Sequence, residues 1–155
     1  MQRMRLAKPS DFDAVVEVFK PMRKDYFPHV RNDALKRKIA AGRVVFDEGV
    51  VITFLKYKLK RKYGAYTGLQ VQVGDVHLEQ IVTSVQGDGS ATRVFQDFLK
   101  THNTNVWLSV RADNLRARSF YEKNGMVEVG DINWKDATIL GKVYLYKNPY
   151  KEYMK

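Results

Sequence analysis

The chain has no cysteine in its 155 residues, which excludes a disulfide scaffold, a thiolate metal site and a cysteine nucleophile. Its three histidines, His29, His77 and His102, are scattered, so no metal cluster is expected. No apolar run approaches the roughly 20 residues a membrane-spanning helix needs. The N-terminus lacks the apolar segment of a secretory signal. The expectation is a cytoplasmic chain with no membrane partner, monomeric or a homodimer. Neither linkers nor repeats interrupt it, and its length fits one domain over residues 1–155. Acidic charge is also scarce: 17 Asp plus Glu stand against 27 Lys plus Arg, a net +10. The excess is uneven. Residues 1–63 carry 16 basic and 7 acidic side chains, net +9, while residues 64–155 carry 11 and 10. Two readings stand: an acidic partner on the N-terminal side, or a solvated face.

Hydrophobic periodicity supplies the elements. Residues 2–6 read as a first strand. Ser10 or Asp11 caps a helix with Val15, Val18 and Phe19 at helical spacing, and Pro21 is expected to stop it. A second helix fits 33–41, with Ala34, Leu35 and Ile39 on its apolar side, Lys36, Arg37 and Lys38 on its wet side and Gly42 at its end. Val44, Val45 and Phe46, a turn at Asp47-Glu48-Gly49 and alternation over 50–59 read as a hairpin. Residues 60–68 read as a basic mobile loop, and 69–73 as a further strand piece. Gly74-Asp75 is a turn before a strong strand at 76–83. A glycine-bearing loop then opens a helix from 90 to about 100 with Val94, Phe95, Phe98 and Leu99 inward. A buried strand at 106–110, a helix at 114–123 ended by Asn124-Gly125, and strands at 126–129 and 140–146 complete the order β-α-α-β-β-β-α-β-α-β-β. The class is α/β, a single domain with a mixed central sheet flanked by helices.

The stretch Gln86-Gly87-Asp88-Gly89-Ser90-Ala91 sits between a strand and a helix. Such a junction exposes backbone N–H groups at the positive end of the helix dipole, an arrangement that suits a phosphate or pyrophosphate. Glycines let the chain approach a ligand without Cβ clashes. Ser90 and Thr92 add hydroxyls. The loop is neither a Walker loop nor a dinucleotide fingerprint, and Gly-Asp-Gly alone also makes ordinary turns. A second stretch, Asn114-Leu115-Arg116-Ala117-Arg118-Ser119-Phe120-Tyr121-Glu122-Lys123-Asn124-Gly125-Met126, follows the buried strand.

With both stretches in this order, the sequence resembles the GNAT superfamily of acetyl-CoA-dependent N-acetyltransferases. Gln86, Gly89 and Ala91 match the family's Gln/Arg-x-x-Gly-x-Gly/Ala. Asn114, Ala117, Phe120, Tyr121, Glu122, Lys123 and Gly125 match its later Asn-x-x-Ala-x-x-Phe-Tyr-Glu-Lys-x-Gly helix, with Met126 where an aromatic is usual. Gln86 brings no charge, and the Pro-x-x-Arg turn usual before the loop is missing. Phosphate attraction is therefore expected to rest mostly on backbone N–H groups.

The resemblance implies transfer of an acetyl group from acetyl-CoA to a primary amine by direct attack in a ternary complex. It implies cofactor binding by Ile81, Val82, Thr83, Gln86, Gly87, Asp88, Gly89, Ser90, Ala91, Thr92 and Asn114, with Ile81–Thr83 lying along the pantetheine arm. Tyr121 is implied as the proton donor to the departing thiolate. Acidic or histidine side chains on the strand before the loop often serve as base in the family. Period two places Asp75, His77, Glu79 and Ile81 on one face of that strand and Val76, Leu78 and Val82 on the other, making Glu79 the first candidate and His77 the second. A satisfied polar pair or a solvated edge is the structural alternative. No metal is implied.

The acceptor is expected to be an amine-bearing small molecule or macromolecule of anionic character, since a polyamine would be repelled. Lys56, Lys58, Lys60, Arg61 and Lys62, interleaved with Tyr57, Tyr63 and Tyr66, offer residues 56–66 to nucleic acid, cations following phosphates and rings stacking on bases. A lysine-guarded strand edge is the alternative. A non-catalytic coenzyme A-binding or nucleic-acid-binding module is the rival function.

Overall fold

The computed structural model describes residues 4–23, 31–63, 68–84, 87–134 and 138–148. The chain divides into two compact units, each made of two stretches: Met1–Leu55 with Leu78–Thr101, and Lys56–His77 with His102–Lys155. The units interleave along the chain, so they are not successive domains.

The first unit holds two helices, a hairpin and most of the central strand. α1 is Phe12–Arg23 and α2 is Asn32–Ala40. β1 is Val44–Asp47, β2 is Val50–Lys56, β5 is Val76–Thr83 and α3 is Ser90–His102. The strand order here is β1-β2-β5. Val15, Val18 and Phe19 of α1 and Leu35 and Ile39 of α2 pack with Val44, Val51 and Val82, at the spacing their periodicity requires. Phe54 meets Phe98 edge to face, ring centroids 5.3 Å apart, a preferred aromatic geometry.

Four expectations change in this unit. The strand over 2–6 reduces to one antiparallel bridge, Leu6 to Val45, and Gln2 and Arg3 lie outside the described residues. α1 runs through Pro21, because a proline near a helix end forfeits only one intrahelical bond. Neither Ser10 nor Asp11 starts α1. Both belong to a 3₁₀ turn, Pro9–Asp11, in which the Asp11 carboxylate accepts from Lys8 N–H at 2.8 Å. β2 is buried from Val50 through Phe54 on both faces, not alternating, since it is an interior strand. A polar pair sits inside that sheet, the Thr53 hydroxyl donating to Gln80 Oε1.

The second unit holds β3 (Arg61–Lys62), β4 (Gln70–Val71), β6 (Val106–Arg111), α4 (Leu115–Lys123), β7 (Val127–Trp134) and β8 (Ile139–Tyr146), with the first residues of β5. Its main sheet runs β5-β6-β8-β7. β5 and β6 pair in parallel at Val76–Val106 and His77–Trp107, and the other pairings are antiparallel. The sheet is therefore mixed, as expected. β3 and β4 form a separate two-stranded sheet, so the basic segment expected as a loop contains paired strand. The core gathers Tyr63, Val71, Trp107 and Val143. Gly141 is required by packing: a Cβ there would lie 2.5 Å from the Trp134 ring. Among the described residues no helix is long and apolar enough to cross a membrane.

Candidate functional site

In the first unit, β5 alternates as its sequence pattern demands. Leu78, Gln80 and Val82 are buried; Glu79, Ile81 and Thr83 are half-buried. Glu79 is not a free carboxylate. Lys38 Nζ lies 2.9 Å from its Oε1 and Arg43 Nη2 lies 3.4 Å from the same oxygen. Arg43 is oriented in turn by Nε donating to Phe54 O at 2.9 Å. Lys38 thus departs from the wet side expected of it, since an opposite charge on β5 holds it down to 20% side-chain exposure.

Beyond Thr83 the chain turns on glycines with positive φ, Gly87 at +83° and Gly89 at +85°, conformations that cost a non-glycine residue. Val85 and Gln86 lie outside the described residues. A Cβ at Gly87 would meet nothing within 4 Å, so the turn leaves open space at its tip. The first helical bond of α3 runs from Arg93 N–H to Gly89 O at 3.1 Å. The amides of Gly89, Ala91 and Thr92 therefore precede the ladder. The Ser90 amide is used: it donates to Asp88 Oδ1 at 2.9 Å. This bond, with the Ser90 hydroxyl, holds the Asp88 carboxyl below its usual range. Asp88 is thus a built-in anion at the dipole's positive end. Ser90 is buried, and its hydroxyl accepts from Arg93 Nη2 at 3.4 Å. Ala91 is half-buried and Thr92 exposed.

Arg93 is the residue sequence reasoning missed. Its Nη1 lies 3.5 Å from where a Gly89 Cβ would stand. Glu48, in the β1–β2 turn, holds it at 2.6 Å through Nη2 and 3.1 Å through Nε. The Glu48 hydrogen bond is the main cause that raises the guanidinium above its ordinary value. That turn is seated by Ser84 N–H donating to Gly49 O at 3.0 Å. Gln86 brings no charge to this turn, and Arg93, one helical turn downstream, sets a guanidinium beside it that is itself paired with Glu48. The spacing of Arg93, four residues after Gly89, was the available signal.

In the second unit, Tyr121 is buried on α4. Its ring lies 5.8 Å from Phe120 and 6.0 Å from Tyr144, centroid to centroid. Burial pushes its phenol above the ordinary 10. Beside it, Tyr144 donates to Glu122 Oε2 at 2.5 Å and accepts from Arg118 Nε at 3.1 Å. Asn114 is the N-cap of α4, its Oδ1 accepting from Ala117 N–H at 3.2 Å.

His77 is half-buried, stacked on Tyr57 at 6.0 Å and edge-on to Tyr63 at 5.6 Å. Tyr63 in turn stacks on Trp107 at 5.3 Å and is only 5% exposed. The expectation that Tyr63 presents a stacking face is corrected, because its ring is buried between His77 and Trp107; Tyr57 is half-buried with one face toward His77, and Tyr66 lies outside the described residues. Asp75 does not share an open face either. It precedes β5, fully buried, and accepts from Trp107 Nε1 at 3.0 Å, Thr104 Oγ1 at 3.1 Å and Gln72 N–H at 3.0 Å. Three donors compensate the desolvation of a buried carboxylate.

No protein-family model matches the chain, and no curated protein does. Solved structures do. An acetyltransferase of the GNAT family from Bacillus cereus ATCC 10987 is 15% identical with a TM-score of 0.66, over 96% of this chain and 98% of that one. One from Streptococcus agalactiae 2603 is 13% identical with a TM-score of 0.69, over 94% of both. The ribosomal-protein-S18-alanine N-acetyltransferase of Escherichia coli is 16% identical with a TM-score of 0.66, over 96% of this chain and 94% of that one. At such identities the likeness is one of architecture, a mixed sheet with flanking helices matched over nearly the whole length. The chain has the fold of the GNAT-family acetyltransferases.

Proposed function

We propose that the chain is an N-acyltransferase that moves an acetyl group from acetyl-CoA to a primary amine by direct attack in a ternary complex. The observation that carries this reading is the glycine turn, whose amides precede the α3 ladder and which has Arg93 against it. Backbone donors, the Arg93 Nη1 that Glu48 does not take and open space at Gly87 suit a diphosphate, against the opposing charge of Asp88. Gly87, Gly89, Ala91, Thr92 and Arg93 would hold it, with Ile81–Thr83 along the pantetheine arm. Bound acetyl-CoA supplies the thioester whose carbonyl is attacked.

The chain's own residues do the rest. An alkyl ammonium has a pKa of about 10.4, so the amine must lose a proton before it attacks. Glu79 takes that proton through water in this reading, with His77 as the second choice. Lys38 and Arg43 fix the Glu79 carboxylate through Oε1, which leaves Oε2 to accept. Tyr121 serves the departing thiolate. Its phenol stays protonated across the physiological range. Transfer of the proton to a thiolate of pKa about 8.5 is uphill by at least roughly 2 kcal/mol. Tyr121 therefore acts first as a hydrogen-bond donor that disperses the developing charge, and protonation completes as the thiol leaves. The acceptor is amine-bearing, a small molecule or a macromolecule of anionic character.

The double ion pair on Glu79 favours a second reading, a non-catalytic module that binds coenzyme A or nucleic acid. The test is calorimetric titration with coenzyme A, followed by thiol-release assays on amine, peptide and RNA pools. Binding with turnover that drops in Tyr121→Phe and Glu79→Gln supports the transferase. Binding with no turnover on any pool leaves the module, and absence of binding overturns both coenzyme A readings.

A further inference from the structure

The second unit pairs many of its cations. Arg111 bridges Asp113 at 3.0 Å, Arg118 bridges Glu128 at 2.9 Å and Lys142 bridges Asp131 at 2.7 Å. Residues 56–62 break this habit. Lys56, Lys58, Lys60, Arg61 and Lys62 are all exposed, and among the described residues none of the five has an acidic partner. Like charges this dense repel one another, a cost that a polyanion relieves.

The strip is also ordered. Tyr57 N–H donates to Asp75 O and Gly74 N–H to Tyr57 O, each at 2.9 Å. At the other end Arg61 and Lys62 pair with Val71 and Gln70, and Tyr63 N–H donates to Leu69 O at 2.8 Å. The backbone is held on both sides of the Lys58–Leu59 bend before any partner arrives, which lowers the ordering cost of binding.

We infer that residues 56–62 are a docking surface for a single-stranded nucleic acid, gripped through its phosphates and not its bases. The segment bends at Lys58 and Leu59 between the end of β2 and the start of β3, so its five cations crowd into less than the roughly 25 Å that seven extended residues would span. Cations gathered around a bend suit a flexible single strand, which can follow the curve, better than a duplex, whose bending over so short a length costs free energy. A protein partner would want a dry centre of aromatic anchors. Here Tyr63 is in the core, Tyr57 lies on His77, and Leu59, 74% exposed, is the only exposed apolar side chain of the segment. A phosphate backbone needs no such anchor. Phosphates are common to both backbones, so RNA and DNA strands of one sequence are expected to bind alike. The inference goes beyond acetyl transfer and does not depend on it.

The test is fluorescence anisotropy with a labelled 20-nucleotide oligouridylate, titrated across sodium chloride concentrations. Five neutralised phosphates predict a slope of log K against log salt near −3.5. The triple variant Lys58→Gln, Lys60→Gln, Arg61→Gln is expected to flatten the slope by about 2 and weaken binding, for oligouridylate and oligothymidylate equally. Arg37→Gln, on α2 and paired with Asp33 at 3.4 Å, is expected to leave the slope unchanged. Because the substituted side chains are exposed, circular dichroism should show the wild-type fold, and coenzyme A titration should be unaltered. The inference is overturned if the wild type does not bind, if the triple variant keeps the full slope, or if polyglutamate of equal charge binds more tightly than the oligonucleotide, which would mark an acidic protein as the partner.

Discussion

Two helices of this chain start directly after a strand, and they start differently. α4 is closed by its own sequence: Asn114 caps the Ala117 amide, and Tyr121 one face further is buried. α3 begins on a glycine turn, with amides ahead of its ladder, a carboxylate on one of them and an arginine held at the side. Both carry stretches that resemble one family's motifs. Physically, the first is a finished helix end, while the second still has donors to give. The contrast separates a motif that builds a fold from one that can hold a ligand.

The largest effect should come from the closed helix. Tyr121→Ala removes a buried ring and is expected to cost about 3–5 kcal/mol of stability, read as a lower midpoint in urea unfolding. Tyr121→Phe keeps the ring, so the fold should hold while turnover falls by about 10²-fold and coenzyme A affinity stays the same. If turnover survives Tyr121→Phe, α4 is structural throughout and the comparison with α3 becomes absolute.

The far end of α3 gives the next effect. Burial, then the Lys56 charge, pushes His102 down from 6.5 to about 4. A depressed base is neutral in the folded chain while the unfolded chain already takes up the proton. Stability is therefore full above pH 6.5 and falls as pH drops from 6.5 toward 4. The ceiling is roughly 3 kcal/mol, less what partial solvation removes. His102→Gln should abolish this acid limb in a series of unfolding curves; an unchanged limb would assign it to other groups.

The two helix starts can be pulled apart directly. Arg93→Ala is expected to weaken coenzyme A binding about tenfold, the size of one charge-assisted hydrogen bond, with little change in stability. Asn114→Ala should do the reverse, costing about 1 kcal/mol of stability through the lost cap and leaving coenzyme A affinity in place. Equal losses of affinity in both would show Asn114 touching the cofactor as well as capping.

What the sequence disclosed follows from range. The period-two pattern of β5 and the glycine positions around α3 are local, and both appear where expected. The Lys38–Glu79 pair joins residues 41 apart, and no local pattern announces it. Glu48 and Arg93 are 45 apart, so the carboxylate that holds Arg93 beside the turn had no local signal, although Arg93 itself stands only four residues past Gly89. β2 misled because polar and apolar residues alternate only where one face is wet, and its first five residues have no wet face. Tyr63 misled for the opposite reason: an aromatic among lysines looks exposed, and here its ring turns inward onto Trp107.

The smallest expected effect tests whether α3 carries its own competitor. Asp88 places negative charge where a diphosphate would sit, and its carboxyl is held low chiefly by the Ser90 amide. Asp88→Asn keeps an oxygen for that amide and removes the charge. Coenzyme A should then bind about threefold more tightly at low salt, with the gain shrinking as salt screens it. The same variant should lose a small acid dependence of stability. In the wild type, that contribution is complete above the ordinary carboxyl value of 3.8 and fades as pH falls through the lower folded one. Unchanged or weaker affinity in Asp88→Asn would mean the carboxylate shapes the turn without opposing the ligand, and the open start of α3 would then owe its availability to Arg93 and the glycines alone.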